Sequence, residues 1–301
     1  MLTFFTTPKP FRGHIDVIQR NAIRSWGLVH PEAEVILFGD DEGAVAAARE
    51  LGIRHEPHVQ RNQYGTKYLG PIYDRAQEIA RNEIMCYVNC DIVLMSDFRE
   101  AVERLCEWRR RFLMIGRRWD LNVTEPLDFR GADWEQRLRA LAIREDKQRP
   151  PGWIDYFVFW RGAYYGKIPP FVIGRPAWDS WLVWYGRASK MCVVDVSEVV
   201  VAVHQNHDYS YHPDGELGVW FGEEARRNRE LLGGWHHIGT VENATHRLAP
   251  SAIRRSYRHW PVMIKRAAVA GLRTFLELTR PLRHWLGLDR ERIAGLFLRK
   301  R

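Results

Sequence analysis

The chain predicts an α/β protein built on a mostly parallel sheet. Short apolar runs alternate with four helical patterns between residues 2 and 118. One of the runs, Glu34-Val-Ile-Leu-Phe38, is continuously apolar, as a parallel strand covered on both faces must be. Polar residues follow the runs: Thr6, Asp40, Asn89 and Arg117 stand at their ends, and ligands of open α/β sheets gather at the carboxyl ends of strands.

Taken in order, Leu2 to Thr6 reads as a strand ended by Thr7-Pro8-Lys9-Pro10, and Ile15, Ile18, Ala22, Ile23 and Trp26 share one helical face that Pro31 stops. After the strand 34–38, Asp41 is placed to cap a helix carrying Val45, Ala48 and Leu51, closed by Gly52. A short strand over 53–59 and a polar loop, Gln60 to Gly65, lead to an amphipathic helix with Leu69, Ile72, Tyr73, Ala76, Ile79 and Ala80 on its face. Ile84 to Val88 is the next strand. Asp97 and Glu100 have capping-box spacing for a helix with Phe98, Ala101, Val102 and Leu105, and Phe112 to Gly116 is another strand. From Asp120 to Pro151 the chain turns polar and irregular, an insertion or lid with one helix near 134–143. An extended run over 153–160 and a helix over 177–188 follow. The β-branched runs 193–196 and 199–203 are expected to close the sheet and deliver His204-Gln-Asn-His207-Asp-Tyr209.

Composition narrows the class. With 301 residues, 46% of them hydrophobic, the chain can bury a proper core as one large domain or two small ones. Cys86, Cys90, Cys106 and Cys192 lack zinc-knuckle spacing and suit free thiols in a reducing compartment, so a cytoplasmic protein is expected. No secretory pattern or membrane-spanning run is seen. The net charge of +8 is localised: residues 251–301 carry thirteen Lys/Arg against three acids, leaving 1–250 at −2. That tail reads as helical in two pieces broken near Pro261 and Pro281, with Trp260, Phe275 and Trp285 among its arginines. It suits either the anionic face of a membrane, which would make the protein peripheral on the cytoplasmic side, or packing on the body. No nucleic-acid recognition motif accompanies it, so no nucleic-acid partner is expected.

Asn89 and Asp91, two apart where a buried strand ends, point their oxygens the same way, as hard divalent cations require. His204 and His207 beside Asp208 add imidazoles of the kind that also ligate metals. Gly39-Asp40-Asp41, Arg61-Asn62, Tyr87 to Leu94 and His204-Gln-Asn-His207 stand in the order found in GT-A type glycosyltransferases, the nucleotide-diphospho-sugar transferases, and over about residues 1–250 the chain resembles that family. The resemblance implies a Rossmann-like nucleotide half (1–118) and an acceptor half (119–250), and leaves the basic tail (251–301), read from its charge, unexplained. It also implies Mn²⁺ or Mg²⁺ bridging the donor diphosphate. The family's Asp-x-Asp is here Asn89-Cys90-Asp91, which makes Asp91 the principal ligand, with His204 or His207 supplying a third position. Thr6, Thr7, Asp40 and Asp41 match base and ribose positions, and Arg61 and Asn62 stand where nucleotide or phosphate is reached. Asp179 is the expected general base, with Asp155 the second candidate for that role and otherwise a donor-sugar or acceptor contact; Trp153, Trp178 and Trp181 divide between sugar stacking and core. The expected activity is sugar transfer to a hydroxyl acceptor, lipid-linked or a surface-polysaccharide precursor. Two alternatives stand beside it: a metal-dependent hydrolase or nucleotidyltransferase using Asp91, His204, His207 and Asp208, and a peripheral membrane adaptor without catalysis.

Overall fold

The expected alternation opens the chain: β1 (Leu2–Thr6), α1 (Gly13–Val29), β2 (Glu34–Phe38), α2 (Ala44–Leu51), β3 (Arg54–Glu56), α3 (Leu69–Ile79) and β4 (Ile84–Val88). This computed structural model describes residues 1–258 except Tyr211, and beyond them only Ile264, Gly271, Leu272 and Glu277–Thr279. The chain divides into two compact units, Met1–Tyr257 and Arg258–Arg301, and all of the strands and helices named in this fold belong to the first. After β4 come β5 (Ile92–Val93), α4 (Ser96–Trp108), β6 (Phe112–Ile115), β7 (Arg118–Leu121), α5 (Trp134–Glu145), β8 (Tyr156–Trp160) and α6 (Trp178–Ala188). The order ends with β9 (Cys192–Asp195), β10 (Ala202–Gln205), α7 (Gly215–Phe221), α8 (Glu223–Leu231), β11 (His246–Leu248) and β12 (Ile253–Arg255).

Nine strands form one sheet in the order β12-β11-β9-β6-β8-β4-β1-β2-β3. The pairs β1/β2, β1/β4, β2/β3, β6/β9 and β9/β11 are parallel, and β4/β8, β6/β8 and β11/β12 antiparallel. The sheet is therefore mostly parallel with flanking helices, as expected. Alternation along each central strand divides its side chains between two layers. Phe4, Val35, Leu37, Cys86 and Val158 meet Ala22, Trp26, Ala48 and Phe98 of α1, α2 and α4 on one face. Phe5, Ile36, Phe38, Tyr87 and Phe159 meet Ile72, Tyr73, Trp181 and Leu182 of α3 and α6 on the other. On that side Tyr73 and Phe159 stack at 5.6 Å, with Phe5 edge-on to both.

Several expectations are corrected. The runs near 193–203 do not close the main sheet together: β9 joins it, while β10 lies in a separate three-stranded sheet, β5-β10-β7. The stretch 120–151 is not a lid, because β7 pairs with β10 and α5 packs Leu138 and Ala142 on Val93, Leu121 and Val203 to make a third core. Asp97 caps nothing. α4 begins at Ser96 after Met95, and the Asp97 carboxylate accepts from Val201 N at 2.9 Å and pairs with Arg139 at 2.7 Å. Ile253–Arg255, expected to be helical, is an edge strand; from residue 259 on, the expected basic tail lies outside the described residues except at six isolated positions, 264, 271, 272 and 277–279. None of the described helices is long and apolar enough to cross a membrane.

Candidate active site

A cavity of about 1140 Å³ opens at the carboxyl ends of β1 and β4. Its rim is made of loops leaving those strands, and its wall includes Arg118, Asp155 and the first turns of α6 and α8. The three-stranded sheet assembles its most polar corner. Asp91 stands one residue before β5; β10 pairs antiparallel with β5, setting His204 opposite Ile92, and parallel with β7, setting His204 opposite Asp120. Register alone thus brings Asp91, His204 and Asp120 together.

Donor atoms of Asp91, His204 and His207 all lie within 4.8 Å of one another, a cluster able to hold a metal ion. His207 Nε2 is 3.2 Å and His204 Nε2 4.0 Å from Asp91 Oδ2. His207 Nδ1 is 2.7 Å from the Asp208 carbonyl, to which it can only donate, so its Nε2 turns a lone pair inward. His204 Nδ1 faces Asp120 Oδ1 at 3.4 Å, the carboxylate-behind-imidazole arrangement that orients metal ligands. Among the described residues, Asp91 Oδ1 is buried without a hydrogen-bond partner, a further donor for a cation. This oxygen and nitrogen set fits a divalent ion such as Mn²⁺ or Mg²⁺. Burial pushes the Asp91 carboxyl up, but the Lys9 ammonium foremost, with His204, outweighs it and holds it well below the usual carboxylate range.

Beside the cluster, Asn89 turns away from it. Its Nδ2 donates to Asp155 Oδ1 at 2.6 Å, and Arg118 Nη1 donates to Asp155 Oδ2 at 2.8 Å while its Nε donates to Asp120 at 2.9 Å. Asp155 is buried, and both its oxygens are taken, which makes it a strut between β4, β7 and the cavity wall. Arg118 also lies over the Trp153 ring at 4.7 Å, with Arg149 at 4.1 Å.

At the opposite end Asp41 does not cap α2, whose N-terminus is preceded by Gly43 in the left-handed region. Its carboxylate binds the buried Lys67 ammonium, which also donates to the Pro8 carbonyl at 2.7 Å. Burial lowers the Lys67 pKa and Asp41 opposes that shift. Gly39 is required here: at φ 116 a Cβ would stand 2.7 Å from Asp41 Oδ2 and 2.8 Å from Lys67 Cε. Arg61 pairs with Asp40, and its Nη1 donates to Gly65 O at 2.8 Å. Asn62 holds its own turn, accepting from Tyr64 N and Thr66 N at 2.9 Å, and donates to Glu224 Oε1 at 2.6 Å. Arg175 closes that knot with two bonds to Glu224 of 3.0 and 2.5 Å. Burial raises the Glu224 carboxyl, but Thr66, Asn62 and Arg175 bring it below its ordinary value.

Asp179, in the first turn of α6, faces the cavity, and burial pushes its pKa up to about 6, against backbone N–H groups that lower it. Of the residues singled out from sequence, Thr7, Asp41, Arg61, Asn89, Asp91, Asp155, Asp179, His204 and His207 line the cavity. Thr6 is buried beneath it beside the Cys90 thiol, Asp40 is exposed on the far side of Arg61, and Asn62 is turned to Glu224. Trp153 and Trp178 reach the wall, whereas Trp181 stacks on Tyr185 at 4.8 Å in the core. Asp208 is exposed and its carboxylate accepts from Ser210, outside the cluster. Sequence reasoning missed Lys9, Lys67, Arg118, Asp120, Arg175 and Glu224. The strand register would have exposed Asp120; nothing local marked the others.

No known family matches the chain, and no curated protein matches it in sequence. Solved structures resemble it at low identity. Residues 1–349 of S. aureus TarS match with 9% identity and a TM-score of 0.40 over 68% of this chain. The chain spans 58% of that fragment. The same fragment in complex with UDP-GlcNAc matches with 13% identity and a TM-score of 0.31, over 44% of this chain and 37% of that one. Glucosyl-3-phosphoglycerate synthase from Mycobacterium tuberculosis, in complex with Mg²⁺ and UDP, matches with 16% identity and a TM-score of 0.44 over 77% of this chain and 78% of that one.

Proposed function

We propose that the protein is a metal-dependent glycosyltransferase of the GT-A type, moving a sugar from a nucleotide-diphosphate donor to a hydroxyl acceptor. The observation that carries this reading is the convergence of Asp91, His204 and His207 in the same cavity as the Asp179 carboxylate. Asp41 and Arg61 at one end offer an acceptor and a guanidinium to ribose and phosphate. Asp179, with its pKa near 6, is ionised at neutral pH yet basic enough to take the proton of the attacking hydroxyl. Asp155, fixed by Asn89 and Arg118, holds the wall against which the sugar lies. A Mn²⁺ or Mg²⁺ ion held by Asp91, His204 and His207 would supply positive charge for the departing diphosphate. Acceptor, place in the cell and any membrane contact rest on composition: the basic 251–301 segment fits a glycolipid or surface-polysaccharide precursor handled at the cytoplasmic face of a membrane. The hydrolase reading loses Asp208, which is turned to Ser210.

The test is a panel of UDP- and GDP-sugars incubated with the purified protein and Mn²⁺, reading released nucleotide. One donor is expected to be hydrolysed slowly, with release abolished by EDTA and by Asp91→Asn. No release together with no nucleotide binding in calorimetry would sink the proposal.

A further inference from the structure

The cluster that fits a metal has a lysine in its mouth. Lys9 Nζ lies 2.7 Å from His207 Nε2 and 3.5 Å from Asp91 Oδ2. Because His207 Nδ1 is spent on the Asp208 carbonyl, Nε2 is the acceptor and the ammonium the donor. The cation that this geometry records among the ligands is therefore the chain's own, and a metal ion and an ammonium less than 4 Å from the same atoms would repel each other.

The backbone under Lys9 is held independently of its side chain. Buried Gln19 clamps it, accepting from Lys9 N at 2.7 Å and donating to Lys9 O at 3.0 Å, and Pro8 O accepts from Lys67. Proline on both sides restricts the loop further. The ion pair is not needed to fix this loop. What stays adjustable is a four-carbon stem ending in a compact charge, partly exposed and lining the cavity.

We propose that Lys9 is an exchangeable counter-ion: its ammonium occupies the Asp91–His207 mouth until a diphosphate enters, then moves onto the phosphate oxygens and leaves the ligands to the metal. Metal and nucleotide are thereby coupled, each favouring the state the other needs, and by linkage the coupling is reciprocal. The inference builds on the nucleotide-sugar reading and assigns Lys9 a positioning role at the diphosphate, one with no counterpart in the resemblance read from sequence.

The experiment titrates Mn²⁺ into nucleotide-free protein, followed by electron paramagnetic resonance, for the wild type, Lys9→Met and Lys9→Arg. Calorimetry of UDP and GDP in EDTA forms the second arm. Lys9→Met is expected to bind Mn²⁺ at least tenfold more tightly than the wild type, and to bind the preferred nucleotide at least tenfold more weakly without metal. Lys9→Arg, which keeps the charge, should stay within a few-fold of the wild type in both arms. A merely structural ion pair would move neither titration, so superimposable Mn²⁺ curves for the wild type and Lys9→Met overturn the proposal. That failure is separable from failure of the glycosyltransferase reading, which appears as a wild type that binds neither UDP nor GDP in the presence of Mn²⁺.

Discussion

Restoring the family's acidic pair by Asn89→Asp should damage the protein, because the Asn89 amide is not directed at the metal cluster. Its Nδ2 sits 2.6 Å from Oδ1 of the buried Asp155, in a part-buried contact. A carboxylate there would face a carboxylate. At that separation, with an effective dielectric of ~20, the repulsion is about 6 kcal/mol. The protein escapes by protonating one of the two, which from a reference pKa of ~3.9 costs about 4 kcal/mol at pH 7 and about 1.5 kcal/mol at pH 5. The smaller penalty wins, and a protonated oxygen can again donate to Asp155. The introduced group therefore has a folded pKa raised above its unfolded one. Its destabilisation is slight below pH 4, grows as pH rises through the window between the two values, and levels off above the folded pKa. Urea midpoints of the wild type and Asn89→Asp, measured at pH 7.5 and 5.0, check this: a loss of about 5 kcal/mol at the higher pH and well under half of that at the lower. Equal midpoints at pH 7.5 would refute the reasoning, since they would mean that Asn89 and Asp155 are not in contact.

Three further outcomes follow from the site. With Asp179 as base and its pKa near 6, kcat/KM should fall as pH drops through 6, and Asp179→Asn should lower turnover by about 10²-fold or more; a limb near pH 4 would disqualify the residue. Asp120→Asn removes the carboxylate behind His204 Nδ1 and should weaken Mn²⁺ binding by about 10- to 100-fold in a direct titration, with unchanged affinity counting against the orienting role. Glu224→Gln weakens the knot with Arg175 and Asn62 by about 1–3 kcal/mol, read as faster hydrogen exchange across α8, and because the Glu224 pKa is lowered, the wild type should approach the variant as pH falls through that value.

How much of this was legible in the chain depended on whether the signal was local. The strands of the first half announced themselves because both of their faces are buried, and Asp91, His204 and His207 were found because strand ends concentrate ligands. The antiparallel insertion of β8 between β4 and β6 was not readable, since an extended run carries no mark of its distant partners. Helix α8 escaped for a different reason. Only Ala225 and Asn228 of its nine residues are buried, and it docks through polar bonds, Asn228 clamping Val172 N and O at 3.0 and 2.9 Å, so there was no apolar stripe to detect. Asp41 and Asp97 look alike in sequence, acids before helices, but a buried lysine and an arginine from α5 respectively outcompeted the helix termini. The orientation of Asn89 was decided by Asp155, far along the chain.

The three-stranded sheet that holds His204 between β5 and β7 makes the polar corner an all-or-nothing assembly. Successive residues of a strand face opposite ways, so deleting one residue between Val196 and Ala202 would turn the imidazole of His204 to the far side rather than displace it slightly. Changes of length in the loop after β7, by contrast, leave that alignment alone. Beyond Asn122, which accepts from Asn206 Nδ2 at 2.7 Å beside His207, the loop after β7 can vary in length without shifting that register, while the short connection from β9 into β10 tolerates no such freedom.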